Sequence, residues 1–206
     1  MSNRTQYPSK VLGDAVEAIA SLPGVGRRSA MRLAMYLMRQ PGENIHHFAA
    51  AVDRLADDIR YCSICRMVCD DDICPVCADR KRDRSMVCVV AGIRDVMSIE
   101  ETGQYHGLYH VLGGIISPIN GIGPGDLSIG SLVERLQGPE APAEVILALS
   151  GDVEGETTSF YIYRQIEKFG VKVSSLARGL GFGDDLEYAD SLTLGRSILQ
   201  RQPFKV

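Results

Sequence analysis

The sequence predicts an α+β protein built from several modules in series, and three patterns along the chain indicate this. Residues 1–60 carry apolar side chains at helical spacing. Two closely spaced pairs of cysteines follow. Beyond them, short apolar runs rich in β-branched residues alternate with segments of helical length, as in a parallel sheet covered by helices. We therefore expect a helical module at residues 1–60, a cysteine knuckle at 61–84, an α/β module at 85–173 and a short C-terminal segment at 174–206.

The composition is that of an ordinary globular protein. The chain has 206 residues, of which 45% are hydrophobic and 23% charged, and it can bury a substantial core. No apolar run reaches the length of a membrane span, and residues 1–10 lack the apolar segment of a signal peptide. We therefore expect a cytoplasmic protein without membrane association, in which thiols stay reduced and cysteine pairs serve metal or redox roles.

The charges are distributed unevenly along the chain. The net charge is −4, yet the charged residues within 1–40 are mostly basic. A second basic run, at residues 80–84, follows the last paired cysteine, and acidic residues collect from Asp95 onward. This asymmetry allows a nucleic-acid-binding face on an acidic protein, although a solvated surface is the simpler interpretation of the charge runs alone.

The N-terminal module is predicted to contain three helices. The apolar faces of the first two are Leu12, Ala15, Val16 and Ile19, and Ala30, Leu33, Ala34 and Leu37. Pro41 and Gly42 are expected to end the second helix, and Asn44 to cap the third. The apolar stripe of the third helix is Ile45, Phe48, Ala49, Val52, Leu55, Ala56 and Ile59.

The cysteine pairs predict a metal site. Cys62-x-x-Cys65 and Cys74-x-x-Cys77 are separated by eight residues. Each pair can aim two thiolates at one point, and two pairs form the tetrahedral sulfur cage that zinc favours. Such a closed cage leaves no position for water, so we predict one structural zinc ion per chain, whose binding energy contributes to folding. Reduced structural thiols or a redox pair are the alternatives.

The two remaining cysteines are not predicted to be ligands. Cys69 lies between the pairs and breaks their geometry, although it could replace a neighbour. Cys88 lies in a predicted buried strand and is expected to pack there.

A glycine-containing turn separates the first two helices. Its sequence is Leu-Pro-Gly-Val-Gly at residues 22–26. Gly24 and Gly26 permit a tight turn and a close approach of backbone N–H groups to a ligand, and the start of the next helix favours an anion. Arg27, Arg28 and Arg32 add positive charge. The element resembles the helix-hairpin-helix of DNA repair proteins, which binds DNA phosphates regardless of sequence. A plain interhelical turn is the alternative.

The α/β module is predicted to contain four strands, at residues 87–90, 108–112, 145–149 and, more weakly, 171–173. Helices are expected at residues 93–101, 131–137 and 157–169. The segment 113–130 is rich in Gly and Pro and is predicted to be a long ordered loop, which is often functional.

This module resembles the Toprim type of nucleotidyl-transfer domain. In that family a Glu ends the first strand and an Asp-x-Asp follows a later one, and these acids bind magnesium. Here Ala91 and Ser150 stand at two of the three acidic positions, and only Asp152 matches. The loss of carboxylates removes the charge that holds a hard cation. Asp152, Glu154 and Glu156 remain as a candidate weak divalent-cation or partner site, and no catalytic residue is predicted.

The histidines offer no catalytic arrangement. His46, His47, His106 and His110 are expected at the surface or in packing roles.

Taken in order, these motifs resemble the bacterial recombination mediator family RecR over nearly the whole chain. Besides the glycine turn, the knuckle and the first strand, the matching segments are residues 101–105, 117–118, 121–124, 153–156, 177–179, 186–190 and 193–194. Two departures stand out. Ala91 replaces a Glu that many members carry, and Gly181-Phe182-Gly183-Asp184 differs from a commoner Pro-containing loop.

The resemblance implies a non-enzymatic DNA-binding protein of recombinational repair. Family members form ring-like oligomers, work with RecO and RecF, and help load the RecA recombinase onto gapped DNA coated by single-strand binding protein. The helix-hairpin-helix and zinc modules would face DNA, and the Toprim module would serve assembly and partner contacts. A Walker B-like C-terminal segment around Asp190 would lie in an oligomer interface.

Two other functions stay open from the sequence. One is a magnesium-dependent Toprim-type nuclease or phosphotransferase that uses Asp152, Glu154 and Glu156, against which Ala91 and Ser150 argue. The other is a structural zinc scaffold that contacts only proteins, against which the basic hairpin argues.

Overall fold

The computed structural model describes residues 7–177, 179–181, 183, 185–201 and 203. It divides the chain into two compact units, Met1–Ile59 and Arg60–Val206. Arg178, Phe182 and Asp184, which belong to motifs quoted above, lie outside the described residues.

The described part of the first unit is helical. It comprises α1 (Lys10–Ala20), α2 (Arg27–Leu37) and α3 (Gly42–Asp57). Val16, Ala30 and Ala34 form the buried contact between α1 and α2. The small side chains on α2 let the two helices approach closely around Val16, as the predicted apolar faces require.

The third helix differs from the prediction in two ways. It begins at Gly42 with Pro41 as its N-cap, so the prediction that Asn44 caps it was wrong. The reason is that the fixed φ of proline suits a helix start, and the N–H of Asn44 already donates to the Pro41 carbonyl at 3.0 Å. In addition, every residue of α3 is exposed or half-buried, including its apolar stripe.

The second unit begins with the knuckle. Two short strands, β1 (Arg60–Tyr61) and β2 (Val68–Cys69), pair antiparallel, and the one-turn helix α4 (Pro75–Ala78) follows. The first cysteine pair lies between the strands, and the second pair flanks the start of α4.

A four-stranded parallel sheet forms the rest of this unit, as the sequence predicts. Its strands are β3 (Asp83–Val90), β4 (Gly107–Val111), β5 (Glu144–Ala148) and β6 (Lys172–Ser175), in the order β4-β3-β5-β6. The central strand β3 pairs in register with both neighbours, so that Cys88 lies between Tyr109 and Ile146. The helices are α5 (Ile93–Glu101), α6 (Ile129–Gln137), α7 (Val153–Ile166) and α8 (Ser191–Leu199).

Alternate residues of β3 enter different buried clusters because successive side chains point to opposite faces of a sheet. Val87 and Val89 pack with residues of α6 and α7. Cys88 and Val90 pack with Val96 of α5 and with the cysteines of the knuckle. The knuckle therefore belongs to the core on one face of the sheet.

Helix α7 starts four residues before its predicted position. Asp152 caps it by accepting a hydrogen bond from the N–H of Gly155 at 2.7 Å. The predicted loop at 113–130 contains two 3-10 turns, Pro118–Asn120 and Pro124–Asp126, and its last residues begin α6. None of the described helices has the length and apolar character needed to cross a membrane.

Candidate metal centre and nucleic-acid interface

The fold brings the four paired cysteines together. Cys62, Cys65, Cys74 and Cys77 are all buried, and their sulfur atoms lie within 4.8 Å of one another. The Sγ atoms of Cys65 and Cys74 are 3.5 Å apart. Within the part of the chain that the structure describes, this is the one group of three or more potential metal ligands so placed. The arrangement suits a tetrahedral metal with four sulfur ligands.

Backbone N–H groups stabilise sulfur anions in this cluster. The N–H of Cys74 donates to Cys62 Sγ, and the N–H of Cys77 donates to Cys74 Sγ, each at 3.4 Å. Burial raises the pKa of Cys62, but hydrogen bonds from the backbone of Cys74 and its neighbours outweigh it and lower that pKa to about 7. Burial raises the pKa of Cys74 to about 12. The opposed proton affinities of Cys62 and Cys74 fit a buried sulfur cluster whose negative charge a cation must balance.

The other two cysteines lie outside the cluster. Cys69 is half-buried in β2, and its Sγ donates to the carbonyl of Asp71 at 2.9 Å. Cys88 is buried in β3, where burial raises its pKa to about 12. Both positions agree with leaving these residues out of the ligand set.

A charged network beside the knuckle was not predicted from the sequence. Arg82 donates from Nη1 to Glu100 Oε1 at 2.8 Å, and its Nη2 also contacts this carboxylate. Tyr109 Oη donates to the same Oε1 at 2.6 Å. The hydrogen bond from Arg82 holds the pKa of Glu100 below its usual range. The sequence placed Arg82 in a basic run, and only the tertiary fold shows that it is paired.

The glycine turn at residues 22–26 is tight, and its backbone is exposed. Gly24 adopts a left-handed conformation with φ of 79°, and a hydrogen bond of 3.1 Å from Val25 N–H to the Leu22 carbonyl closes the turn. Gly26 is the N-cap of α2 and supplies no side-chain cap. A Cβ atom at either glycine would meet nothing within 4 Å, so the backbone here is open to a ligand.

Three exposed arginines follow this turn on α2. Arg27 and Arg28 occupy its first two positions, and Arg32 lies one turn beyond Arg28. The positive end of the helix dipole adds to their charge. The first turn of α2 therefore presents N–H groups and guanidinium groups on one end of the helix.

The three acids near the start of α7 have separate partners. Asp152 Oδ1 accepts from Gly155 N–H at 2.7 Å and from Ser150 Oγ at 3.0 Å. Glu154 Oε1 accepts from Ser117 Oγ at 2.6 Å. Glu156 Oε1 lies 3.7 Å from Nη1 of Arg196 on α8. The described structure does not bring these carboxylates together as a metal-ligand group.

The histidines occupy two kinds of environment. His46, His47 and His106 are exposed. His110 is fully buried in β4, and its Nε2 lies 2.8 Å from the carbonyl oxygen of Ser128. Burial lowers its pKa to about 4, so it is neutral near pH 7 and donates from Nε2.

Comparison with known proteins agrees with the modular organisation of the chain and with the four-cysteine cluster. Four family models match the chain: the RecR helix-hairpin-helix at residues 12–56, the RecR zinc-finger domain with four cysteines at 59–79, the Toprim domain at 85–177 and the RecR C-terminal region at 179–202. The zinc-finger match covers the four clustered cysteines, and the cofactor of this chain is one structural zinc ion.

Curated relatives match over nearly their full length. A protein of Porphyromonas gingivalis is 57% identical over 199 residues, which cover 97% of this chain and 96% of the relative. One of Parabacteroides distasonis is 53% identical over 98% of this chain and 96% of the relative. One of Flavobacterium johnsoniae is 48% identical over 97% of both. Each of these relatives is named "Recombination protein RecR". This chain therefore belongs to the RecR family of recombination proteins.

Proposed function

We propose that this chain is a non-enzymatic DNA-binding mediator of recombinational repair, which acts with RecO and RecF to help load RecA onto gapped single-stranded DNA. The observation that carries the proposal is the open glycine turn of a RecR-family chain, followed at once by Arg27 and Arg28. The name of the relatives, recombination protein RecR, supports recombination as the process in which the chain takes part.

The glycine turn at residues 22–26 and the start of α2, together called the hairpin, form the proposed phosphate-binding site. Gly24 and Gly26 let a phosphate approach the N–H groups at the start of α2, and Arg27, Arg28 and Arg32 neutralise it. All of these groups recognise the backbone rather than base edges, so binding is independent of sequence. Counterion release makes it sensitive to salt.

The division of labour follows the four modules proposed at residues 1–60, 61–84, 85–173 and 174–206. Cys62, Cys65, Cys74 and Cys77 are the proposed zinc ligands, and the ion stabilises the knuckle without taking part in chemistry. The Toprim-like module serves assembly and partner contacts, and the acids near Asp152 belong to that surface.

The alternative function is catalysis by the Toprim-like module, and the residues at its expected metal site argue against it. Ala91 and Ser150 replace two carboxylates, and the remaining acids are engaged separately by Gly155, Ser117 and Arg196. A hard cation such as Mg²⁺ requires several oxygen ligands directed at one point.

A homo-oligomer, as a ring-like dimer or tetramer, is part of the proposal. Phe48, Val52 and Leu55 are 55%, 51% and 60% exposed on α3, and Leu192 and Ile198 are exposed on α8. Apolar faces of this kind are typical of surfaces that another chain covers. We place the protein in the bacterial cytoplasm, associated with the nucleoid.

Incubation with a labelled gapped DNA in the presence of Mg²⁺ tests the proposal. Binding should occur while the length of every strand stays unchanged. Cleaved strands, whose appearance Asp152→Asn abolishes, would instead establish the enzyme. The absence of any binding would favour a scaffold that contacts only proteins.

A further inference from the structure

The Arg60–Val206 unit contains a cleft to which the proposed function assigns no role. It lies where the knuckle meets the end of β4, and its volume is about 470 Å³, within the range of small-ligand pockets. The polar and aromatic residues that line it are Tyr61, Arg66, Asp126, Ser128 and Ser131. We propose that this cleft binds one unpaired nucleotide of single-stranded DNA, with the base stacked on Tyr61 and its phosphate paired with Arg66. The inference rests on the proposed function in that DNA is the ligand.

Tyr61 supplies the stacking surface. The residue is 64% exposed. Its backbone is nevertheless fixed by pairing with Val68 in the β1–β2 ladder, and the zinc-cluster residue Cys62 follows it directly. An exposed aromatic ring on a rigid backbone is the arrangement on which single-stranded nucleic acids stack their bases. Because the backbone of Tyr61 is already ordered, the protein loses little conformational entropy when a base binds to the ring.

Arg66 supplies the cation in an unusual backbone conformation. It is the one described non-glycine residue with positive φ, at 63°, and its N–H donates to the Cys62 carbonyl at 3.0 Å. The left-handed region is unfavourable for an L-residue, and glycine avoids this strain. Arginine at this turn therefore indicates a use for the exposed guanidinium group, and a phosphate beside a base on Tyr61 provides one.

The charge balance of the cleft favours a nucleotide over a bare anion. Asp126 and Arg66 both line the cleft, and one oxygen of Asp126, Oδ2, accepts from Gly123 N–H at 2.8 Å. A carboxylate repels inorganic phosphate but accepts a hydrogen bond from an N–H group of an unpaired base, such as an exocyclic amine or the ring N3–H of uracil. The hydroxyl of Ser128 makes no capping bond to the helix that it precedes, which leaves it for the sugar or the base. Duplex DNA does not fit this site, because the base must be unpaired to stack.

The test uses the full-length protein and a single-stranded oligonucleotide that carries 5-iodouracil, which cross-links on irradiation to an aromatic ring in contact with it. Wild type should cross-link at Tyr61, as located by mass spectrometry. Tyr61→Leu should lose this cross-link and at least about fivefold in affinity, while Tyr61→Phe keeps the affinity. Tyr163→Leu, at another exposed tyrosine on α7, is the matched control and should bind as wild type does.

Arg66→Gly tests the phosphate contact without threatening the fold, because glycine suits the left-handed backbone. It should lower single-strand affinity and reduce the salt dependence by about one phosphate contact, with zinc content and thermal stability preserved. If Tyr61→Leu and Arg66→Gly bind single strands like wild type while Arg27→Glu/Arg28→Glu does not, the cleft inference fails and the proposed function stands. If wild type binds no DNA, both fail.

Discussion

The backbone N–H of Val111 donates to the carbonyl of Cys65 at 2.8 Å, which joins the edge strand β4 to a residue of the four-cysteine cluster. Arg84 adds a second link, from its Nη2 to the Cys77 carbonyl at 3.2 Å. Because Cys88 and Val90 of the central strand pack against the same cysteines, the metal cluster is continuous with the core of the sheet. The stability of the sheet should therefore depend on the metal.

Removal of zinc should destabilise the sheet as well as the knuckle. Four buried thiols would lose the cation that holds them, and the knuckle has too few apolar residues to stay folded alone. Chelation should abolish cooperative thermal unfolding of the Arg60–Val206 unit, and hydrogen exchange should accelerate at Val90 and Val111. Protection unchanged at these amides, or a fully stable metal-free form, would contradict a structural zinc site.

Glu100→Gln should weaken the attachment of the knuckle to α5. The substitution removes the charge that Arg82 and Tyr109 share, and a hydrogen bond to a charged, half-buried group contributes about 1.5–3 kcal/mol before solvent screening reduces it. Denaturant unfolding should show a loss of about 1 kcal/mol. Glu140→Gln is the matched control, since its 3.5 Å pair with Arg84 is largely exposed and should contribute little.

The pairing of Arg82 with Glu100 should also make the stability of the fold depend on pH. The Glu100 pKa is lowered in the folded protein, so its contribution is present above the ordinary carboxylate pKa and is lost as the pH falls through the folded value. The difference in stability between wild type and Glu100→Gln should therefore shrink at acidic pH. A difference that stays constant would show that the charge of Glu100 is not what stabilises the fold.

His110 should make the fold sensitive to mild acid. Its pKa is lowered from 6.5 to about 4, so the unfolded chain takes up a proton that the folded protein refuses as the pH falls below 6.5. The cost between pH 7 and pH 5 is about 2 kcal/mol from this residue. His110→Gln should remove that part of the decline in urea unfolding. An identical pH profile for the two proteins would contradict the assignment.

Gly155→Ala should disturb the loop that carries Asp152. A Cβ atom at position 155 would overlap the carbonyl oxygen and the Oγ of Ser150, so the loop must move and the Asp152 cap must weaken. We expect a loss of about 1–3 kcal/mol in thermal unfolding. Gly125→Ala meets nothing within 4 Å and serves as the control. Equal stability of the two variants would show that the loop adapts freely.

The sequence predicted what depends on local patterns. Two Cys-x-x-Cys motifs specify a metal cage because ligand spacing alone brings the sulfurs together, and the apolar run at 87–90 became the central strand because it is buried on both faces. The first three residues of β3, at 83–85, are exposed and gave no apolar signal.

What the sequence missed depends on tertiary structure. The pairing of Arg82 with Glu100 joins residues 18 positions apart, and no spacing rule predicts it. The left-handed backbone of Arg66 closes the turn that follows Cys62 and Cys65. Glycine is the residue expected at such a position, so the sequence did not indicate this conformation. Pro41 displaced Asn44 as the cap of α3, because a fixed φ outweighed the side-chain preference of asparagine.

DNA binding by the hairpin is tested most directly by the affinity for gapped DNA across a salt series, for wild type, Arg27→Glu/Arg28→Glu and a control of equal charge change, Arg94→Glu/Arg164→Glu. Wild type and control should bind with a steep salt dependence, and the hairpin variant should lose at least about tenfold in affinity and part of the slope. Equal affinity and slope for all three proteins would contradict phosphate binding by the hairpin.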